Sequence, residues 1–278
     1  MGFFARLFRR KKKKPTLGLA LGSGGAKGMA HLGALKAFEE HGLKFDVVAG
    51  TSIGAIVGAL YVNGYSVADM WGIIESLNRK EFAKNLRPFS ELDFAERLLE
   101  GYIEGDVSDL KKPFACWATD AETNEGVLLD AGKVAHIVTA SAAIPPFFRG
   151  VEVEGRRLYD GAFSNAIPAD VCKDMGAHAV IGCDLSAFVR PEEEKSRFTR
   201  FVGSAVNAFM PVRTLRDAKS RGYASADVML RPNLYDFRAT DVSRAAMDKM
   251  FDIGYEEAKA RLAEIDKAVS DAAKDLNR

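Results

Sequence analysis

Few cysteines and no long apolar run set the first limits on this sequence. Its 278 residues include 3 cysteines. They stand at Cys116, Cys172 and Cys183, an odd number at wide spacing, with no Cys-x-x-Cys pattern. We therefore expect a reducing, cytoplasmic compartment and no disulfide framework. No apolar stretch reaches the roughly 18 residues of a transmembrane helix, so none is predicted.

Several functional signatures are also missing. The 39 Lys+Arg and 38 Asp+Glu residues nearly cancel to a formal net charge of +1, which argues against a strongly basic nucleic-acid-binding surface. No P-loop string, zinc-ligand pattern or internal repeat is present, and nothing indicates a metal or organic cofactor. A secretory signal is not expected, because the basic stretch 9–14 runs into Pro15 and a Gly-rich segment.

The remaining composition is that of a globular protein. Hydrophobic residues make up 47% of the chain and charged residues 28%, and the length suffices for one large α/β domain or two small ones. No linker divides the sequence. We therefore predict one domain over residues 16–278, preceded by a tail at residues 1–15.

The tail is basic and amphipathic. Residues 1–14 contain seven lysines and arginines and no acid, so the rest of the chain carries a net charge of −6. Phe3, Phe4, Leu7 and Phe8 share one face of a helical wheel. Two interpretations are open. The tail docks on an anionic membrane surface, which predicts a peripheral location on the inner face, or it is a solvated like-charge run.

Short strands, Gly-rich turns and helices alternate near the start of the domain. A buried strand at 17–21 precedes a helix at 29–41, and a strand at 47–49 precedes a helix at 53–63. This order is typical of a parallel sheet covered on both faces. Further helices are predicted within 66–105, 133–143, 168–176, 200–222 and 242–275, strands within 113–119, 126–130, 151–159, 179–184 and 228–230, and a mobile loop at 187–200.

A glycine loop joins the first strand to the first helix. It reads Gly22-Ser23-Gly24-Gly25-Ala26-Lys27-Gly28. Exposed amides at a helix start point at an anion. The dinucleotide pattern G-x-G-x-x-G fails, because Lys27 stands at its third glycine. Alone, the loop indicates an anion or oxyanion site. Lys27 either attracts a phosphate head group or is a solvated residue at the helix start.

A second glycine-rich turn fits a nucleophile elbow. The string Gly50-Thr51-Ser52-Ile53-Gly54 matches G-x-S-x-G between a strand and a helix. Such a sharp turn lifts the serine hydroxyl out of the sheet, and flanking glycines avoid steric clashes. A serine nucleophile ordinarily uses a histidine base. None of the four histidines lies in a recognisable loop motif after the elbow, and each is predicted to be a packing or surface residue: His31, His41, His136 and His178.

A carboxylate is the alternative base. Asp160-Gly161-Ala162 follows an apolar strand end, where a side chain points into the crevice that holds ligands in such folds. The other interpretation is that Asp160 only begins a turn with Gly161.

These motifs, in this order, resemble the patatin-like phospholipase family, and its small bacterial members in particular. Two further strings share the resemblance, at 118–120 and 140–145, so that it spans about residues 17–184. The resemblance implies a three-layer α/β/α sandwich with a mostly parallel central sheet, a Ser–Asp dyad and hydrolysis of lipid acyl esters.

The family roles transfer to individual residues. By resemblance, Ser52 is the nucleophile and Asp160 the base. The oxyanion hole falls to the amides of Gly24, Gly25, Ala26 and Lys27, and the supporting glycines are Gly22, Gly28, Gly50, Gly54 and Gly161. Two positions depart from the pattern, since Ser23 and Ala162 stand where many members have glycine.

The predicted function is a serine acyl hydrolase that acts on a lipid ester through an acyl-enzyme, with no cofactor and no nucleic-acid partner. An acyltransferase on the same dyad and a membrane-docked regulatory scaffold without turnover are the alternatives. Acyl chains need an apolar groove, although most apolar residues belong to the core. The candidates are Phe89, Phe94, Leu98, Tyr102, Pro146, Phe147, Phe148, Phe188, Phe198, Phe201 and Phe209.

Overall fold

A computed structural model describes residues 13–76, 92–188 and 215–278. Within these ranges one eight-stranded sheet carries helices on both faces. The predicted three-layer α/β/α sandwich is confirmed. The tail up to residue 12 and the greater part of the predicted 187–200 loop lie outside the described residues.

The centre of the sheet is parallel. Its strands are β1 (Leu17–Leu21), β2 (Val47–Thr51), β3 (Phe114–Asp120), β7 (Ala179–Cys183) and β8 (Val228–Leu230). They lie side by side in the order β3-β2-β1-β7-β8. The two innermost strands, β1 and β2, are buried along their whole length, which is why they read as continuous apolar or small-residue runs.

One side of the sheet is antiparallel. The strands β4 (Gly126–Leu129) and β6 (Arg156–Asp160) both pair with β3, and β5 (Val151–Val153) pairs with β6 as a hairpin. Two pairs of consecutive strands, β3–β4 and β5–β6, are thus antiparallel. The described sheet has four parallel pairings and three antiparallel ones, so its parallel character is confined to the centre.

Eight α-helices are described, and they match the predicted order. Their bounds are α1 (Met29–His41), α2 (Ile53–Asn63), α3 (Val67–Ser76), α4 (Asp93–Glu100), α5 (Val134–Ser141), α6 (Ala169–Asp174), α7 (Leu215–Ser225) and α8 (Arg244–Leu276). Of the predicted helical region 66–105, the structure describes α3 and α4; residues 77–91 lie outside the described residues, and residues 101–105 are not helical. Residues 200–214 of the predicted helix 200–222 also lie outside them. None of the helices in these described ranges has the length and apolar character that crossing a membrane requires.

Alternation along β1 divides the core between the two faces of the sheet. Leu19 and Leu21 point into the larger cluster, which α1, α2 and α8 cover. Ala20 points the other way, into a smaller cluster with Ile167 and Val171 beneath α6 and α7. This arrangement sets the carboxyl ends of β1, β2 and β7 along one edge of the sheet, above which the glycine-rich turns lie.

Helices α1 and α8 pack with their backbones in close approach. A Cβ atom at Gly254 would lie 2.0 Å from the carbonyl oxygen of Ala30, and one at Gly33 would lie 2.0 Å from that of Phe251. Only glycine allows this approach from either helix. The contact holds the long α8 against α1, and therefore against the segment that follows the glycine loop.

Substituting Gly254 by alanine should destabilise the protein, because the new methyl group overlaps a backbone carbonyl. Overpacking of this kind costs about 1–3 kcal/mol in the free energy of unfolding. Urea denaturation measures it. Gly72→Ala is the matched control, since Gly72 lies within α3 and an added Cβ there meets nothing within 4 Å. We expect that variant to be neutral or slightly stabilised, and equal losses in both would contradict this account.

Candidate active site

The turn between β2 and α2 holds Ser52 in an unusual conformation. Its backbone has φ 58° and ψ −124°, a combination that residues other than glycine rarely adopt. A Cβ at Gly50 would lie 2.3 Å from the carbonyl oxygen of Gly54, and one at Gly54 would lie 2.0 Å from that of Leu21. The two glycines therefore permit a strand-to-helix turn too tight for any other residue, and Ser52 stands at its apex.

Ser52 and Asp160 are joined by a short hydrogen bond. Ser52 Oγ donates to Asp160 Oδ2 at 2.5 Å, although the two residues lie far apart in the sequence. The other carboxylate oxygen, Oδ1, accepts from the amide of Ala162 at 2.9 Å. Exposed fractions of 4% for Ser52 and 2% for Asp160 place this pair out of bulk water.

Burial changes the acidity of the carboxyl group. Loss of hydration raises the pKa of Asp160 to about 6, while the hydrogen bonds from Ser52 and the Ala162 amide act in the opposite direction. Above that pH the group is an ionised carboxylate of higher basicity than an ordinary aspartate. It is suited to accept a proton from the hydroxyl it already contacts.

The position of Asp160 follows from the strand that it ends. It is the last residue of β6, and Thr119 Oγ1 donates to its carbonyl oxygen at 3.0 Å. The turn then passes the neighbouring strand β3 so closely that a Cβ at Gly161 would lie 2.0 Å from the carbonyl oxygen of Trp117. Glycine after the aspartate is thus a steric requirement. The neighbouring Asp120 instead accepts bonds from the amides of residues 122 and 123 in its own turn.

The glycine loop presents amides beside this pair, and not all of them are available. Ala26 N donates to the carbonyl oxygen of Ala239 at 2.8 Å, and Lys27 N donates to that of Gly24 at 3.3 Å. The amides of Gly24 and Gly25 donate to no other residue of the described ranges. Gly25 has φ +59°, which favours glycine. In this arrangement Gly24 and Gly25 carry the unengaged amides of the loop.

None of the four histidines is hydrogen-bonded to Ser52 in the part of the chain that the structure describes. His41 contacts Asp266, His136 contacts Glu96, and His178 accepts a hydrogen bond from the amide of Thr16. His31 is fully buried, and its Nε2 lies 2.8 Å from the carbonyl oxygen of Gly22. Burial lowers the pKa of His31 to about 4, so the neutral ring donates to that carbonyl. Sequence reasoning missed this support of the glycine loop, although His31 stands only nine residues from Gly22.

An apolar cavity of about 160 Å³ opens beside the serine. Gly25, Ala26 and Ser52 line it together with apolar side chains that include Ile53, Ile74, Leu92, Phe94, Leu99 and Ile144. Residues 239, 240 and 242, which precede α8, line it as well. Such a space takes an apolar chain whose polar end lies against Ser52.

The predicted acyl-groove residues have different environments. Phe94 lines the cavity, whereas Leu98 and Tyr102 pack against the main core. Phe148 is buried in a separate small cluster that Phe147 also packs against, and Phe188 is exposed. Most of the described candidates are therefore core or surface residues. Four of these aromatics lie outside the described residues, namely Phe89, Phe198, Phe201 and Phe209.

A family comparison fits this geometry. The model described as patatin-like phospholipase matches residues 19–173, which is more than half of the chain. The chain belongs to the patatin-like phospholipase family. The match includes the glycine loop, the serine elbow and the Asp160 turn, and so covers every site residue taken from the resemblance.

Relatives in this family are much longer proteins. Patatin-like phospholipase domain-containing protein 6 of Mus musculus is 28% identical over 285 residues, which covers 88% of this chain and 20% of that protein. Lysophospholipase nte1 of Aspergillus fumigatus is 29% identical over 201 residues, covering 67% of this chain and 13% of that protein. The chain thus spans a fifth or less of these two relatives.

Solved structures share the patatin-like fold at low sequence identity. VipD from Legionella pneumophila superposes with a TM-score of 0.54 at 14% identity, covering 92% of this chain and 67% of that chain. Human GIVD cytosolic phospholipase A2 also gives 0.54, at 12% identity, covering 94% of this chain and 60% of that chain. At these identities the likeness concerns the fold alone.

The raised pKa of Asp160 should make stability depend on pH. Between its ordinary value of 3.8 and about 6, the native state binds a proton that the unfolded chain has released, so stability falls as pH rises through this window. Asp160→Asn removes this term. We expect the variant to be more stable than wild type at pH 8 by about 1–3 kcal/mol and similar at pH 4, measured by urea denaturation.

Asp120→Asn is the control for that measurement. Local amide hydrogen bonds lower the pKa of Asp120, so its favourable contribution disappears only as pH falls below the ordinary range. The variant should keep the wild-type slope of stability between pH 5 and 8. If Asp160→Asn also keeps that slope, the pKa of Asp160 is not raised in the native state.

Proposed function

We propose that this chain is a serine acyl hydrolase that cleaves lipid esters through an acyl-enzyme. Ser52 is the nucleophile and Asp160 is its base. The observation that carries the proposal is the 2.5 Å hydrogen bond between Ser52 Oγ and Asp160 Oδ2, with Ser52 lining an apolar cavity. Membership of the patatin-like phospholipase family supports the reaction class, and the name of the fungal lysophospholipase relative supports the substrate class.

In the first half-reaction Ser52 Oγ attacks the ester carbonyl carbon while its proton moves to Asp160 Oδ2. The tetrahedral intermediate then expels the alcohol, which takes that proton from Asp160. In the second half, Asp160 removes a proton from water, the hydroxide attacks the acyl-enzyme, and the proton returns to Ser52 as the fatty acid leaves. Proton and acyl group are balanced over one turnover with no further group.

The oxyanion needs amide donors close to Ser52. The amides of Gly24 and Gly25 are the first candidates, because neither is bonded to another described residue. Ala26 N serves only after exchanging its bond to Ala239, and Lys27 N only after leaving Gly24. The amides lie at the positive end of α1, which favours a developing negative charge.

The acyl chain is the part of the substrate that this site recognises best. The cavity beside Ser52 is lined mainly by aliphatic side chains, so an apolar chain fits there while its ester carbonyl faces the glycine loop. Lysophospholipids and phospholipids meet this requirement, as do other long-chain esters. Transfer of the acyl group to an alcohol instead of water would use the same steps, and its product would depend on an added acceptor.

Removing either member of the pair should abolish turnover. Ser52→Ala and Asp160→Ala are expected to lower kcat for a p-nitrophenyl ester by about a thousandfold or more, because each removes a reacting group. A fluorophosphonate probe should label wild type and not Ser52→Ala. Ser220→Ala is the control, since Ser220 is exposed on α7 and bonds only within its own helix. Labelling that persists in Ser52→Ala would assign the nucleophile elsewhere, and a wild type that binds lipid vesicles without turnover would favour the scaffold.

The tail is proposed to bring the enzyme to an anionic membrane surface. Residues 1–12 carry five of the seven cationic side chains of the tail. A deletion that tests this should end at residue 12, because the backbone of Lys13 forms two hydrogen bonds with Asn277. Deleting residues 2–12 should lower co-sedimentation with anionic vesicles at low salt and leave turnover of a soluble ester unchanged. Zwitterionic vesicles are the control. Binding that survives the deletion would refute docking by the tail.

A further inference from the structure

Ser141 lies at the end of α5 and contacts the backbone of the proposed nucleophile. Its Oγ accepts a hydrogen bond from Ser52 N at 2.9 Å and donates one to the carbonyl oxygen of Trp117 at 2.7 Å. The side chain is fully buried. Because its own proton is engaged by a carbonyl, the hydroxyl offers Ser52 a lone pair and is not itself a free nucleophile.

The proposed base is attached to the same short segment. Asp160 N donates to the carbonyl oxygen of Ala143 at 2.9 Å. Ser141 and Ala143 are two residues apart, so the backbones of Ser52 and Asp160 are both bonded to one stretch of chain. We call residues 141–143 the bracket.

Strand β3 contacts both the bracket and the Asp160 turn. The carbonyl oxygen of Trp117, which accepts the hydrogen bond from Ser141 Oγ, is also the atom against which Gly161 packs. A Cβ at Gly161 would lie 2.0 Å from it. The elbow, the bracket and the Asp160 turn therefore meet at one backbone carbonyl. A shift of Ser141 would therefore displace both the turn that holds Ser52 and the turn that holds Asp160.

Ser52 needs support from outside its own turn. Its positive-φ backbone conformation persists only where surrounding contacts enforce it, and its buried amide has no acceptor within the turn. The serine and the aspartate come from elements 108 positions apart in the sequence. Productive geometry tolerates errors of only about 0.5 Å, so a common anchor is the economical way to set their separation.

We propose that Ser141 is a positioning residue for the Ser52–Asp160 pair, and that the bracket at residues 141–143 sets the distance between the serine hydroxyl and the carboxylate. The inference rests on the proposed function for its catalytic consequence. Its structural half, the bond between Ser141 and the amide of Ser52, is tested separately.

The test compares Ser141→Ala with wild type in turnover and in hydrogen exchange. A misplacement near 1 Å costs about a hundredfold, so kcat for a p-nitrophenyl ester should fall about 30–100-fold while KM changes less than about threefold. The amide of Ser52, followed by mass spectrometry of the peptide that contains it, should exchange faster. The acid limb of the pH profile should move upward, because Asp160 loses a hydrogen bond from Ser52 that stabilises its ionised form.

Two variants separate positioning from general destabilisation. Cys116→Ala removes another buried contact between β3 and α5, the one from Cys116 Sγ to the carbonyl oxygen of Ile137 at 3.5 Å. It should lower the melting temperature and leave kcat within about threefold of wild type. Ser141→Thr retains the hydroxyl and should recover at least a tenth of the wild-type kcat. If Ser141→Ala does not fold, Ser141→Cys replaces it, with a smaller expected loss because a thiol is a weaker acceptor.

The outcomes are distinguishable. Wild-type kcat, an unmoved acid limb and unchanged exchange at Ser52 in folded Ser141→Ala or Ser141→Cys would overturn the bracket. A loss of kcat of equal size in Cys116→Ala would also overturn it, since the effect would then be general. If wild type neither turns over ester nor reacts with the fluorophosphonate probe, the proposed function fails. Faster exchange at Ser52 in the Ser141 variant would still support the structural half in that case.

Discussion

A carboxylate held out of water beside a serine hydroxyl is the constraint on which the rest of this structure depends. Desolvation makes Asp160 a stronger base, with a pKa of about 6, and it also makes an unpaired carboxylate costly. Both oxygens are therefore bonded, one by Ser52 Oγ and one by the Ala162 amide. The turns that carry the pair are sterically crowded as well, since a Cβ at Gly50, Gly54 or Gly161 would overlap backbone atoms.

Local signals predicted much of the fold. The bounds of β1, α1 and α2 agree with expectation because each is a strongly patterned segment that ends at a glycine turn. Gly42 and Gly64, for example, follow the two helices with left-handed backbones, as helix-ending glycines do. Residues 101–105 were wrongly predicted to be helical, although Gly101 follows α4. Unlike Gly42 and Gly64, Gly101 keeps a right-handed backbone, so the helix end there lacks the left-handed geometry of the other two.

In the candidate site, too, the local motifs were predictable and the long-range contacts were not. The serine, the aspartate and the glycine loop occur in local motifs, and their order was enough to indicate the chemistry. The links among them are not local. Nothing around Ser141 shows that its hydroxyl meets an amide 89 positions away, and nothing around Ala239 shows that its carbonyl meets the glycine loop. The aromatics were uncertain for a related reason, since hydrophobicity does not distinguish a cavity wall from a core residue.

The hydrogen bond from Ala26 N to the carbonyl oxygen of Ala239 joins the glycine loop to a segment outside the region that the family model matches. The family match ends at residue 173, before β7, β8 and the residues at 239–242 that form one wall of the cavity. The proposed catalytic groups therefore lie within the matched region, while part of the cavity lining lies beyond it. Changes after residue 173 can reshape the substrate space without altering the reacting groups. In this chain the cavity is therefore lined from both sides of residue 173, whereas the proposed reacting groups lie on one side of it.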